Sequence, residues 1–225
     1  MKVNRGLFVI ALLGFALCAP AGPDKAAFDK MNVSLSFKDD DMMTACQKIS
    51  DASGVPVNLE VSSEVPVAGG ITDEARKKAR EAQGIPNAAH PSKTLTSVLD
   101  AVCAADARYV WVFDEVNGCV NVHPKAKSDL AFNIDNISFS NRTLKEINML
   151  DYLKLRVNKV VLTGDVPPGL TTKIFSINES NVSAERALNR LFAGVNPVVR
   201  WTAVPATVEG EDIKVLVTIT AVVKK

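Results

Sequence analysis

The folded part of the chain opens on an alternation of apolar and polar residues. Val33-Ser34-Leu35-Ser36-Phe37 has a period of two, which predicts a half-buried strand. Asp39-Asp40-Asp41 follows, and acids in that place cap the free amides of a helix. Met42, Ala45, Cys46, Ile49 and Ser53 then fall at helical spacing, with Gly54 as the stop. Val55 to Val61 reads as a second strand. Gly69-Gly70 opens a different stretch, in which Thr72 caps a polar helix from about Asp73 to Gln83. That helix carries Arg76, Lys77, Lys78 and Arg80 with little apolar face, so it reads as a solvated excursion between core elements. Gly84 to Pro91 reads as a loop. Thr94 begins an amphipathic helix whose Leu95, Val98, Leu99, Val102 and Cys103 keep the i, i+3, i+4, i+7, i+8 pattern. Tyr109 to Phe113 and Cys119 to His123 form a hairpin about Asn117-Gly118, stopped by Pro124.

After a short polar segment the plan recurs. Phe132 to Phe139 is extended, and Thr143 opens a helix carrying Leu144, Ile147, Leu150 and Leu153. Val157 to Leu162 is a strand, Gly164 to Gly169 a turn, and Thr172 to Ile177 another strand. Ser183 caps a helix whose Ala184, Ala187, Leu188, Leu191 and Phe192 repeat the spacing of the Leu95 helix, and Gly194 ends it. Val198 to Val204 and Ile213 to Val222 form a closing hairpin. The expected class is α+β, in two similar modules, each a small mixed or antiparallel sheet with two helices packed on one face. The boundaries are 1–21 for a signal peptide, 22–124 for the first module with a helical insert at about 64–92, 125–129 for a linker and 130–225 for the second module.

Composition narrows the function. The 225 residues are 47% hydrophobic and 23% charged, enough for a packed core. A formal net charge of +1 without a basic stripe argues against nucleic acid. Lys2 and Arg5 precede an apolar run from Leu7 to Leu17, and Ala19-Pro20-Ala21 offers small residues before a cut ahead of Gly22. This pattern predicts export to the periplasm or the outer membrane. Membrane contact follows only if Cys18 is lipidated or the N-terminus stays uncleaved as an anchor. Cys46, Cys103 and Cys119 remain after cleavage. Cys46 and Cys103 sit on the apolar faces of two helices and are the first choice for a disulfide in an oxidising compartment, against the simpler reading of small buried hydrophobes. Asn-x-Ser/Thr triplets at Asn32, Asn136, Asn141, Asn178 and Asn181 read as incidental.

The first module resembles the short N-terminal domains of secretins and TonB-dependent receptors. The resemblance lies in Val33 to Asp39, Ala45-Cys46-Gln47-Lys48-Ile49, Ser53 to Val57, Thr94 to Leu99, Tyr109, and Cys119 to Pro124. Asn181 to Leu188 and Arg200-Trp201 echo it in the second module. It implies small periplasmic domains that dock partner proteins or stack into rings. The stretch from Glu64 to Ser92 is longer than the family's usual connection, and no run of further β segments follows that would build a channel or a barrel.

No catalytic, cofactor-binding or metal-ligating residue is assigned. The two histidines, His90 and His123, lack the elbow or base partner of a hydrolase. Asp39-Asp40-Asp41 lacks the spaced oxygens of a calcium loop, and Gly69-Gly70 and Gly164-Asp165 do not form phosphate loops. Cys119 alternates with Asn121 and His123 and is expected to be more exposed than the other cysteines. Trp111 and Trp201 occupy corresponding strands and are expected to pack against helices rather than stack on a sugar. The leading expectation is a non-catalytic envelope scaffold, docking to secretin, secretion or pilus-type machinery or to copies of itself. The alternatives are a binding module for a small apolar or sugar ligand, marked by a cavity lined by Trp111 or Trp201, and a hydrolase with a dispersed site around His90 or His123.

Overall fold

The computed structural model describes residues 23–62, 85, 87–149, 160–163, 166–205 and 215–223. The expected signal peptide, the polar helix expected over Asp73–Gln83, and the Leu150 and Leu153 positions lie outside them.

Strands and helices alternate as an α+β fold. The first half comprises α1 (Lys25–Lys30), β1 (Asn32–Phe37), α2 (Met42–Ser53), β2 (Val57–Glu60), β3 (Ala88–Thr94), α3 (Leu95–Ala105), β4 (Tyr109–Asp114) and β5 (Cys119–Pro124). The second comprises β6 (Asn133–Arg142), α4 (Leu144–Met149), β7 (Val160–Thr163), β8 (Phe175–Ser183), α5 (Ala184–Phe192), β9 (Val199–Pro205) and β10 (Val215–Ala221). From β1 to β5 and from β6 to β10 the same succession of elements runs twice. The pairings recur with it. β1 with β3 and β6 with β8 form antiparallel ribbons, β4 with β5 and β9 with β10 form hairpins, and β2 and β7 lie parallel to β5 and β10.

Local chemistry explains why the strands give way to helices. Asp41, Thr94 and Ser183 each accept a hydrogen bond from the amide three residues on, and Thr143 and Glu146 close a reciprocal capping box. Two residues before each of these caps stands a residue with positive φ: Asp39 at 51°, Ser92 at 47°, Asn141 at 55° and Asn181 at 50°. Short polar side chains tolerate this left-handed conformation best, and each turns an extended chain into a helix start. Gly54, at φ 74°, closes α2 as expected.

Several expectations need correction. Residues 88–94 are a strand, not part of a loop, because this polar segment pairs antiparallel with β1, with an irregularity at Pro91-Ser92, and finds its hydrogen-bond partners there. β8 runs on to Ser183 for the same reason, opposite β6. α1 has no apolar periodicity, yet its Phe28 is fully buried and stacks on Phe113 at 4.1 Å. In the expected linker at 125–129, Ser128 donates to Glu60 at 2.7 Å and Lys125 N–H to the Arg108 carbonyl at 2.8 Å. Ala193, rather than Gly194, caps α5.

The sheets are also not separate. β4-β5-β2-β9-β10-β7 is one six-stranded sheet, joined where β2 lies parallel to β9. Register places Leu59 opposite Thr202 and Glu60 opposite Ala203. Side chains alternate across a strand, so Val57 and Leu59 point to one face and Trp201 and Ala203 to the other. Val57 and Leu59 belong to the first core, with α2 and α3, while Trp201 and Ala203 belong to the second, with α4 and α5. The two halves therefore bury opposite faces of one sheet. Within this sheet each strand of the second half also runs opposite to its counterpart in the first. Reversed faces, reversed directions and unchanged order together describe a half-turn about an axis crossing the strands within the sheet.

Candidate functional site

The junction between the halves is polar. Asn58 of β2 is buried and donates to Asn121 Oδ1 at 3.1 Å and Asn189 Oδ1 at 3.0 Å, and it accepts the backbone N–H of Trp201 at 3.0 Å. Asn189 accepts Trp201 Nε1 at 2.9 Å and donates to Asp114 at 3.0 Å, and Asn121 donates to Glu185 at 3.2 Å. α5 thus reaches across β9 onto the first half. Burial pushes the carboxyl of Glu185 above the ordinary glutamate range; His123 opposes that shift, while Glu60 and Asp114 reinforce it. Burial likewise raises Glu60, although Ser128 and the amide of Asp129 stabilise its charge.

A cavity of about 340 Å³ adjoins this network, lined among others by Asn58, Asn117, Cys119, Asn189, Phe192 and Trp201. Asn117 Oδ1 is buried there without a hydrogen-bond partner among the described residues. The lining offers amide groups and an aromatic edge, but no paired nucleophile and base. The sequence marks Asn117 only as a hairpin turn and Asn58 and Asn121 only as parts of strands, and gives Asn189 no role. Asn58 and Asn121 occupy the polar phase of alternating strands, a position that in sequence looks solvated and that α5 covers in the fold.

The candidates named from sequence are dispersed. His90 lies on the β1–β3 ribbon, edge-on to Phe37 at 5.6 Å, while His123 lies on β5 with Nδ1 3.3 Å from the Pro124 carbonyl. Asp41 caps α2, and Asp40 pairs with Lys48 at 2.6 Å. Trp111 donates to Asp100 of α3 at 2.8 Å and packs on Phe28, and Trp201 is buried on Asn189 of α5. Both rings therefore meet helices, at the same place in each half, and Trp201 alone of the two lines the cavity. The expected Cys46–Cys103 bridge is absent. All three described cysteines are free and buried, Cys119 included, contrary to its expected exposure. Packed helices keep their axes roughly 8–10 Å apart, so two thiols bond only where their Cβ atoms face directly, and here each is a packed apolar group. Burial pushes the Cys103 thiol up to about 11 and raises Cys46 and Cys119 further, which leaves no thiolate nucleophile. Among the described residues no cluster fit to hold a metal ion and no helix long and apolar enough to cross a membrane occurs.

What the fold presents outward is a pair of sheet edges. β4 and β7 end the six-stranded sheet, and among the described residues neither has a second hydrogen-bonded strand neighbour. Val112 on β4 is 50% exposed, and Val116 beyond it is also exposed. Comparison with protein-family models, curated proteins and solved structures finds no match to this chain.

Proposed function

We propose that the chain is an exported docking protein of the bacterial envelope, a duplicated module of the kind found at the N-termini of secretins and TonB-dependent receptors, and that it is not an enzyme. Its partners are secretin, secretion or pilus-type components, or other copies of itself. The observation that carries this reading is the open β4 edge with its exposed valine, an arrangement that an added strand satisfies through main-chain hydrogen bonds and side-chain contacts. The signal-like N-terminus supports export, and the placement of His90 and His123 in different sheets supports a binding role over a hydrolytic site that joins them. Crosslinking in intact cells tests it. Recovery of envelope assembly components or of self-crosslinks is expected. A chain that stays monomeric and captures no specific protein sinks the reading.

The Trp201-lined cavity favours one other reading, a pocket for a small apolar or sugar ligand. Titrating mono- and disaccharides and small apolar compounds against intrinsic fluorescence, in the natural chain and in Trp201→Phe, distinguishes the two. A saturable response lost in the variant supports the pocket.

A further inference from the structure

The geometry points to head-to-tail self-assembly, in which the β7 edge of one chain pairs in parallel with the β4 edge of the next, as β2 pairs with β9 inside each chain. This rests on the docking reading and names a second copy as the occupant of the edge.

The internal junction is the template. Within the repeated order, β7 is the counterpart of β2 and β4 is the counterpart of β9. The chain therefore joins one copy of each edge internally and leaves the other copy of each at its two ends. β2 and β9 are parallel, and β7 and β4 run in the same direction within the sheet. A second chain displaced sideways along the sheet, in the same orientation, thus presents its β4 to β7 with the same sense. Two successive half-turns make a full turn, so the operator is a translation modified only by the twist of the sheet. Such an interface is heterologous and propagates as a filament, or closes as a ring if the accumulated twist permits.

Exposure along β4 agrees. Trp111 and Trp201 each donate to the sixth residue of the helix over them, which makes them counterparts, so Val112 corresponds to Thr202. Thr202, opposite Leu59 at the junction, is 3% exposed, whereas Val112 is 50% exposed. An apolar residue thus stands bare where its counterpart is covered. By the same correspondence α4, the counterpart of α2, would lie over Val112 of the neighbouring chain. The backbone pattern matches as well. Val120 N–H donates to the Pro56 carbonyl just ahead of β2, so Phe113, opposite it, turns its own N–H away from the hairpin. Its counterpart Ala203 accepts from Val61 N–H at 2.8 Å across the junction.

The test uses the chain as processed by an exporting host. Sedimentation velocity over a range of concentrations is expected to show a ladder growing beyond dimer. Val112→Lys places a charge on the open edge without touching the β4–β5 hydrogen bonds. It is expected to be monomeric alone with an unchanged circular dichroism spectrum and melting temperature, yet to shorten the wild-type ladder when mixed in, because its β7 edge still caps a growing end. A photocrosslinking residue at position 112 is expected to join β7 or α4 of another chain, a readout that does not depend on the stability of the lysine variant. A wild-type chain that is monomeric throughout, a ladder untouched by Val112→Lys, a dimer that never grows, or crosslinks from 112 to 112 would each overturn the proposal. Capture of envelope components in cells by a wild-type chain that sediments as a monomer shows that docking stands even where self-assembly fails.

Discussion

Asn58→Ala is the sharpest test of how the halves are held together. The side chain makes three buried hydrogen bonds, to Asn121, to Asn189 and from the Trp201 backbone amide. Its removal leaves the Trp201 N–H without its partner, at about 1–3 kcal/mol, and deletes two further bonds worth about 0.5–1.5 kcal/mol each. Asn189 Oδ1 keeps Trp201 Nε1 as a donor, which limits the second loss. The adjoining cavity, which Asn58 lines, admits water to the vacated site and lowers the total again. The expected loss is therefore about 2–4 kcal/mol, read as a shift of the urea midpoint at constant m. Asn58→Leu, which fills the space water would take, is expected to lose more. Combined with Asn189→Ala, the losses should be strongly non-additive, because the two side chains share a bond. A loss for Asn58→Ala below about 1 kcal/mol, or additivity in the cycle, refutes the junction as a hydrogen-bonded unit.

Other outcomes follow from the same structure. Leu99→Ala and Leu188→Ala remove fully buried side chains at corresponding places in the two cores; each should cost about 2–5 kcal/mol and shift one shared unfolding transition, since the sheet is continuous. Calorimetry that resolves two transitions, only one moving with each variant, argues against that coupling. Glu185 has a raised folded pKa, so its stabilising contribution is full below the unfolded value of about 4.3 and is lost as pH rises through the folded value. Glu185→Gln keeps an acceptor for Asn121 and should flatten that fall in urea titrations across pH; an unchanged slope refutes the assignment. Cys46, Cys103 and Cys119 should resist maleimide until denaturant is added, and mass spectrometry should show no bridge. Gly169 has a φ of 89°, and a Cβ added there would stand 3.3 Å from Pro197 Cδ. Its change to Ala should cost about 1–2 kcal/mol, read by thermal denaturation.

Local signals carried much of the architecture. The caps Asp41, Thr94 and Ser183, the stop at Gly54 and the hairpin turn at Asn117-Gly118 depend on near neighbours, and all stand where the residue types place them. What depends on distant strands was hidden. Ala88 to Thr94 contains His90, Pro91 and Lys93, a poor strand by composition, and forms one because β1 supplies its partner. Phe28 sits in a short helix whose burial is decided by Phe113, far along the chain. The junction asparagines had a legible phase but no legible cover, since a polar face in an alternating strand is ordinarily solvated. The two thiols on facing helices satisfied the apolar pattern and missed the far narrower geometry of a bond.

The weak identity between the halves has a physical source. Counterpart residues meet different surroundings, because one half ends at an open edge where the other meets the junction. Trp111 donates to Asp100, a carboxylate that stays solvated, while its counterpart Trp201 donates to Asn189, buried in the junction where a charge would be costly. Val112 stands bare on β4, whereas Thr202, its counterpart, is enclosed and accepts a hydrogen bond from the Arg200 side chain. Positions that serve only their own core keep apolar character rather than identity: Leu99 and Leu188 are the same residue, while Val98 stands where Ala187 does and Val102 where Leu191 does. Changes between apolar and polar or charged and neutral thus fall, in these pairs, where the halves meet or end, and apolar character survives where each closes on itself. A repeat joined by a half-turn must diverge in this way, since its two copies share a fold but not a neighbour.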